Sequence, residues 1–276
     1  MPRSTTFAGT ERPLLGLLLV IELIVAVALV GRSGPPAPAD DAAVTPTPSE
    51  AVSATSIVSD GRTVELVSLG GPATRPLLDR VSRAMDDAVG AVTAFWGPEW
   101  PRKIVVVATA SDEQFTALAG GGADIAAATT GQRIVFAPGA AAMTDAALRI
   151  VLRHELFHFA ARAETAPDAP RWLTEGVADF VARPDAPRPG PARAAELARL
   201  PSDADLATEG PTRTLAYDRA WWFTKFVADQ YGVPTLRRLY QKACGPGHPD
   251  VSTAVSEVLG ASLPDVVVQW RKWLEG

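Results

Sequence analysis

Two of the chain's three histidines stand four residues apart, in Arg153-His154-Glu155-Leu156-Phe157-His158. No other feature constrains the fold and its chemistry as tightly. On an α-helix, positions i and i+4 lie on one face, one turn apart. Two imidazoles so placed can bind one zinc ion at about 2.0–2.1 Å each. Glu155, directly after the first histidine, then points past the metal toward a bound water. A carboxylate in that place can take a proton from water as it attacks a carbonyl. The bland alternative, two core histidines flanking a surface glutamate, is weakened by how little histidine the chain contains.

The flanks predict a helix. Thr144-Asp145 offers an N-cap, and residues 146–163 contain neither Gly nor Pro. Apolar residues cover nearly its whole circumference, broken by Arg149 and Arg153 on one stripe, so the helix belongs inside a domain. A zinc site needs a third protein ligand. Trp172-Leu173-Thr174-Glu175-Gly176-Val177-Ala178-Asp179-Phe180 reads as a second buried helix with carboxylates at i and i+4. Burying these unpaired would cost on the order of several kcal/mol each. A metal resolves the conflict: Glu175 ligates, and Asp179 accepts the free N–H of a ligand histidine. The alternative is a solvated carboxylate face, for which Trp172, Leu173, Val177, Phe180 and Val181 leave little room.

With these residues, His154-Glu155-x-x-His158 followed by Glu175-x-x-x-Asp179 resembles the gluzincin, thermolysin-like zinc peptidases. The Trp172-Leu173-x-Glu175-Gly176-x-Ala178 segment is similar to small extracytoplasmic peptidase MA-like domains. The metzincin extension is absent, because Ala161 and Glu164 occupy its last two places. No G-x-M-x-N segment of the gluzincin aminopeptidases precedes the helix. The resemblance implies peptide-bond hydrolysis on a peptide or protein substrate. It also implies that the strand pair read at 126–130 and 132–137 offers an edge to the substrate backbone; an ordinary hairpin is the alternative. In gluzincins a downstream tyrosine or histidine stabilises the oxyanion. Here the candidates are Tyr217, opening an aromatic-rich helix, and His248, in a loop of glycines and prolines. Tyr217 is the expected catalytic partner of Glu155, with a core aromatic as its alternative role.

Residues 14–30 form the one apolar run suited to a membrane. Glu22 near its middle costs roughly 2.5–3.5 kcal/mol on the insertion scale. Thirteen Leu, Ile or Val residues offset it, at about 0.3–0.6 kcal/mol each. Arg3 and Arg12 precede the run, so residues 1–13 are expected in the cytoplasm and the rest beyond a single-pass anchor. A secreted form, cleaved near Ala37-Pro38-Ala39, is the alternative. Residues 31–55, rich in Pro, Ala, Ser and Thr, read as a linker. The domain is expected over 56–276, as an α+β fold: a small N-terminal mixed sheet with helices, the zinc helix at the cleft, and a helical C-terminal half. The region 183–211 reads as loop with one short helix. A formal charge of −5 without a basic run argues against a nucleic-acid surface. A single cysteine, Cys244, excludes an intramolecular disulfide and a multi-thiolate zinc site. No sequence signal sets an oligomeric state. Two other functions remain open at this point: a catalytically silent zinc-binding domain, and a hydrolase of non-peptide amides in the envelope.

Overall fold

Among the described residues a five-stranded sheet forms, mostly from alternating and continuous apolar runs, and the helices pack onto it. The computed structural model describes residues 52–120 and 125–276. The expected cytoplasmic tail, the membrane segment at 14–30 and most of the linker lie outside the described residues. Among the described residues, no single helix is long and apolar enough to cross a membrane.

The elements run β1 (Val52–Ile57), β2 (Thr63–Ser68), α1 (Arg75–Trp96), β3 (Lys103–Ala108), α2 (Asp112–Ala119), β4 (Ala127–Thr129) and β5 (Ile134–Phe136). Then come α3 (Asp145–Ala161), α4 (Arg171–Ala182), α5 (Pro191–Leu197), α6 (Asp203–Ala207), α7 (Pro211–Tyr231), α8 (Val233–Cys244), α9 (Val251–Leu259) and α10 (Leu263–Glu275). The sheet order is β1-β2-β3-β5-β4. β2, β3 and β5 are parallel, while β1 and β4 run antiparallel to their neighbours at the two edges. The fold is therefore α+β with a mixed N-terminal sheet and a helical C-terminal half, as the sequence predicts.

The helix that carries the histidines is held on several sides. Thr144 caps α3 by accepting from the Ala147 amide at 3.2 Å. Phe157 packs edge-on to Phe95 and Trp96 of α1 and to Tyr240 of α8, with centroids 5.8, 5.7 and 5.4 Å apart. Such aromatic pairs add about 0.5–1.5 kcal/mol each beyond the area they bury. Arg153 on the outer stripe forms a two-pronged pair with Asp87 of α1, its Nη2 2.9 and 2.8 Å from the two carboxylate oxygens.

α4 meets α7 at a close crossing that needs a glycine. A Cβ on Gly176 would stand 2.7 Å from the Ala220 carbonyl oxygen and 2.9 Å from its carbon. At the same crossing the buried Thr224 hydroxyl lies 3.0 Å from the Gly176 carbonyl oxygen and 2.8 Å from that of Trp221.

Three features differ from the sequence expectation. β1 starts at Val52, so ordered structure reaches back into the stretch read as linker over 31–55. Its Val-Ser-Ala-Thr-Ser-Ile run is exposed on both faces, so it has no apolar alternation, and backbone pairing with β2 holds it. The region 183–211 holds two short helices rather than one, because Ser202 and Asp205 form a capping box at the start of α6. α9 is an additional helix, capped by Asp250 accepting from the Thr253 amide at 3.0 Å.

Candidate metal centre

α3 and α4 pack against one another, and each brings one buried face of polar residues to the contact. His154, Glu155, Glu175 and Asp179 are all buried, with at most 4% exposure. The donor atoms of His154, His158 and Glu175 converge and can hold a metal ion. His154 Nε2 lies 3.0 Å from His158 Nε2 and 3.2 Å from Glu175 Oε2. His158 Nε2 is 3.7 Å from the same carboxylate oxygen. Donors around a tetrahedral zinc with bonds of about 2.0–2.1 Å stand roughly 3.3 Å apart, so this triangle has the size such an ion requires.

Electrostatics agree with that fit. Two imidazole nitrogens 3.0 Å apart repel if both are bare acceptors, so either one donates a proton to the other or a cation lies between them. Burial pushes the His154 pKa down, but the hydrogen bonds and charges of Asp179 and Glu175 outweigh it and push it up to about 10. Burial pushes the Glu175 carboxyl up, yet the two histidines hold it well below the usual carboxylate range. The buried carboxylates of Glu175 and Asp179 thus make the pocket attractive to a cation. A metal bound there would compete with protons for the same nitrogens.

The remaining groups are arranged around this triangle. His154 Nδ1 donates to Asp179 Oδ1 at 2.9 Å, which leaves Nε2 facing the donor set. Thr129, at the end of edge strand β4, places its hydroxyl 2.7 Å from Glu155 Oε2 and 2.8 Å from the Glu155 carbonyl oxygen. The other carboxylate oxygen, Oε1, is buried without a hydrogen-bond partner among the described residues. Burial pushes the Glu155 carboxyl up, while the charges of His154 and His158 oppose this. Tyr217 is buried and its hydroxyl is also without a partner among the described residues. Burial and the neighbouring carboxylates of Glu175 and Asp179 push the phenol well above its ordinary range. A buried unpaired hydroxyl is uncommon and calls for an explanation; Tyr217 has two ionisable site residues close enough to feel.

His248, the other oxyanion candidate, has different neighbours. Its Nδ1 lies 2.9 Å from the Pro249 carbonyl oxygen and its Nε2 3.5 Å from Asp168. No contact between it and the three donors is recorded among the described residues. Three residues of the site were not anticipated from sequence: Thr129, and the pair Arg183 and Asp218 behind Asp179. Arg183 had one available signal, its place four residues after Asp179.

A family model described as the eCIS core domain matches residues 107–166, a segment running from the end of β3 through the histidine helix. No curated protein matches the chain. Among solved structures, it is similar to aminopeptidase A of Legionella pneumophila in complex with aspartic acid, at 14% identity and a TM-score of 0.52. That match covers 80% of this chain and 28% of the other. It is also similar to an M1 zinc metallopeptidase from Deinococcus radiodurans, at 18% identity and a TM-score of 0.48, covering 82% of this chain and 51% of that one. The chain therefore spans between about a quarter and a half of the length of these neighbours. What it shares with aminopeptidase A at this level of identity is the fold.

Proposed function

We propose that this chain is a zinc metallopeptidase that hydrolyses peptide bonds, held at the membrane by residues 14–30 with its domain outside the cytoplasm. The observation that carries the reading is the buried triangle of His154, His158 and Glu175 with an unpaired Glu155 oxygen beside it. The two imidazoles and the Glu175 carboxylate are the residues that would hold zinc. When bound, zinc supplies a Lewis acid, polarising a carbonyl oxygen and lowering the pKa of water at the site.

The chain's own residues supply the rest. The Thr129 hydroxyl occupies Glu155 Oε2, so Oε1 is the atom left to take a proton from water and pass it to the leaving amine. Asp179 holds the His154 ring with its Nδ1 proton turned away from the donor set. The Tyr217 hydroxyl is un-ionised at neutral pH and has no competing partner among the described residues, so it can donate to negative charge developing on the carbonyl oxygen. The apolar run at 14–30 supports the anchor, and the basic residues ahead of it support the orientation.

The test is turnover on protein, peptide and cell-wall amide substrates side by side, with Tyr217→Phe alongside the wild type. The expected result is cleavage of a peptide bond, reduced by about 10²–10³-fold in Tyr217→Phe. Zinc content and melting temperature should stay near wild type in that variant. Cleavage of the amide substrate alone would replace the peptidase reading, and zinc binding without any turnover would leave a silent domain. If turnover survives Tyr217→Phe and collapses in His248→Ala, the oxyanion role belongs to His248.

A further inference from the structure

α4 ends at Ala182, and the backbone of Arg183 is extended (φ −78°, ψ 147°). Its side chain nevertheless folds back over the helix. Nη2 stands 2.6 Å from Asp179 Oδ2, one turn earlier, as an ion pair held by charge and proximity rather than by a well-aligned hydrogen bond. Nη1 donates to Asp218 Oδ1 on α7 at 3.0 Å. The guanidinium also lies 5.2 Å from the Trp221 ring centroid, on the same helix as Asp218. Asp218 directly follows Tyr217 in sequence and is itself buried.

A single chain of contacts therefore runs from the metal-facing imidazole to α7: His154 Nδ1 to Asp179, Asp179 to Arg183, Arg183 to Asp218. A carboxylate turns easily about its last torsion, whose energy profile is broad and roughly two-fold. Held only by His154, Asp179 could turn and release the ring. With the Arg183 charge beside its second oxygen, it presents Oδ1 to Nδ1, and His154 keeps Nε2 toward His158 and Glu175. A planar guanidinium can engage two carboxylates at once with fixed geometry, whereas a lysine ammonium cannot reproduce that fork.

Resting on the zinc reading above, we propose that Arg183 is a positioning residue. It fixes the orientation of Asp179, and through it the ring of His154, and ties that assembly to the turn of α7 that carries Tyr217. A residue that only joined α4 to α7 would affect melting temperature without affecting the metal. One that positions the ligand affects the metal directly.

The experiment is a zinc titration of the purified chain against a competing chelator, for wild type, Arg183→Met, Arg183→Lys and Asp218→Asn. The downfield Nδ1 proton of His154 is followed in parallel by NMR on the zinc-loaded and metal-free protein. Losing the carboxylate that accepts from a metal-ligating histidine weakens metal binding by about 10–100-fold, and Arg183 stands one contact further out. The expected result is therefore a zinc Kd raised about tenfold in Arg183→Met, with smaller losses in Asp218→Asn and Arg183→Lys. The Nδ1 proton should exchange faster in Arg183→Met. Should Arg183→Met fail to fold, Asp218→Asn and Arg183→Lys carry the test. A folded variant set with wild-type zinc affinity and an unchanged Nδ1 signal would overturn the proposal while leaving the zinc site intact. A wild type that binds no zinc would overturn the metal reading itself.

Discussion

Glu155→Gln should keep its zinc and lose hydrolysis by about 10²–10⁴-fold, the range a positioned general base contributes. The amide keeps the size and shape of the carboxylate and can still meet the Thr129 hydroxyl. It has no basic oxygen to take a proton. At 1.36 kcal/mol per tenfold, the loss corresponds to roughly 3–5.5 kcal/mol of barrier. Stability should not fall, because the exchange removes an ionisable group whose charged form is disfavoured by burial. Cleavage of an authentic substrate by Glu155→Gln at the wild-type rate would remove Glu155 from the role of base, whatever the zinc content.

The second large effect is expected at Gly176→Ala. Alanine is intrinsically better in a helix than glycine by about 1 kcal/mol. Here the added methyl meets Ala220's carbonyl oxygen at 2.7 Å and carbon at 2.9 Å, both backbone atoms that no rotamer can move. Overpacking of this kind costs about 1–3 kcal/mol, so the clash outweighs the propensity and α4 must shift from α7. Glu175 is the adjacent residue and Asp179 lies one turn on, so the shift moves a ligand and the partner of another. A displacement of about 1 Å in a catalytic group can cost 10²-fold in rate. Gly176→Ala should therefore melt lower, weaken zinc binding and lose most turnover. A variant as stable as wild type with full zinc affinity would show that the crossing has slack the distances do not suggest.

The metal-facing residues were legible in the sequence because helical spacing is a local property. His154 and His158, and Glu175 with Asp179, stand at i and i+4, and each pair shares a face as soon as its segment is helical. Thr129 and Asp218 carry no such signal. Thr129 reaches Glu155 from 26 residues away through the placement of β4, and Asp218 reaches Arg183 across 35 through the packing of α7 on α4. Arg183 is four residues from Asp179 but lies past the end of its helix, where periodicity no longer predicts direction. Gly176 could be seen in the sequence, but its reason could not, since that reason is the backbone of Ala220. The α+β class followed from the order of apolar runs, whereas β1 escaped because a strand exposed on both faces leaves no alternation to read. The capping box at Ser202 was local and readable, and the short helix behind it was merged into loop by the surrounding prolines and alanines.

The central claim is that His154, His158 and Glu175 together hold a zinc ion. Metal analysis of the purified chain tests it most directly, on wild type and on His154→Ala, His158→Ala and Glu175→Ala. The account predicts about one zinc per wild-type chain and loss of the metal in each variant, since a site with three protein ligands cannot spare one. Stoichiometric zinc surviving all three substitutions would contradict it.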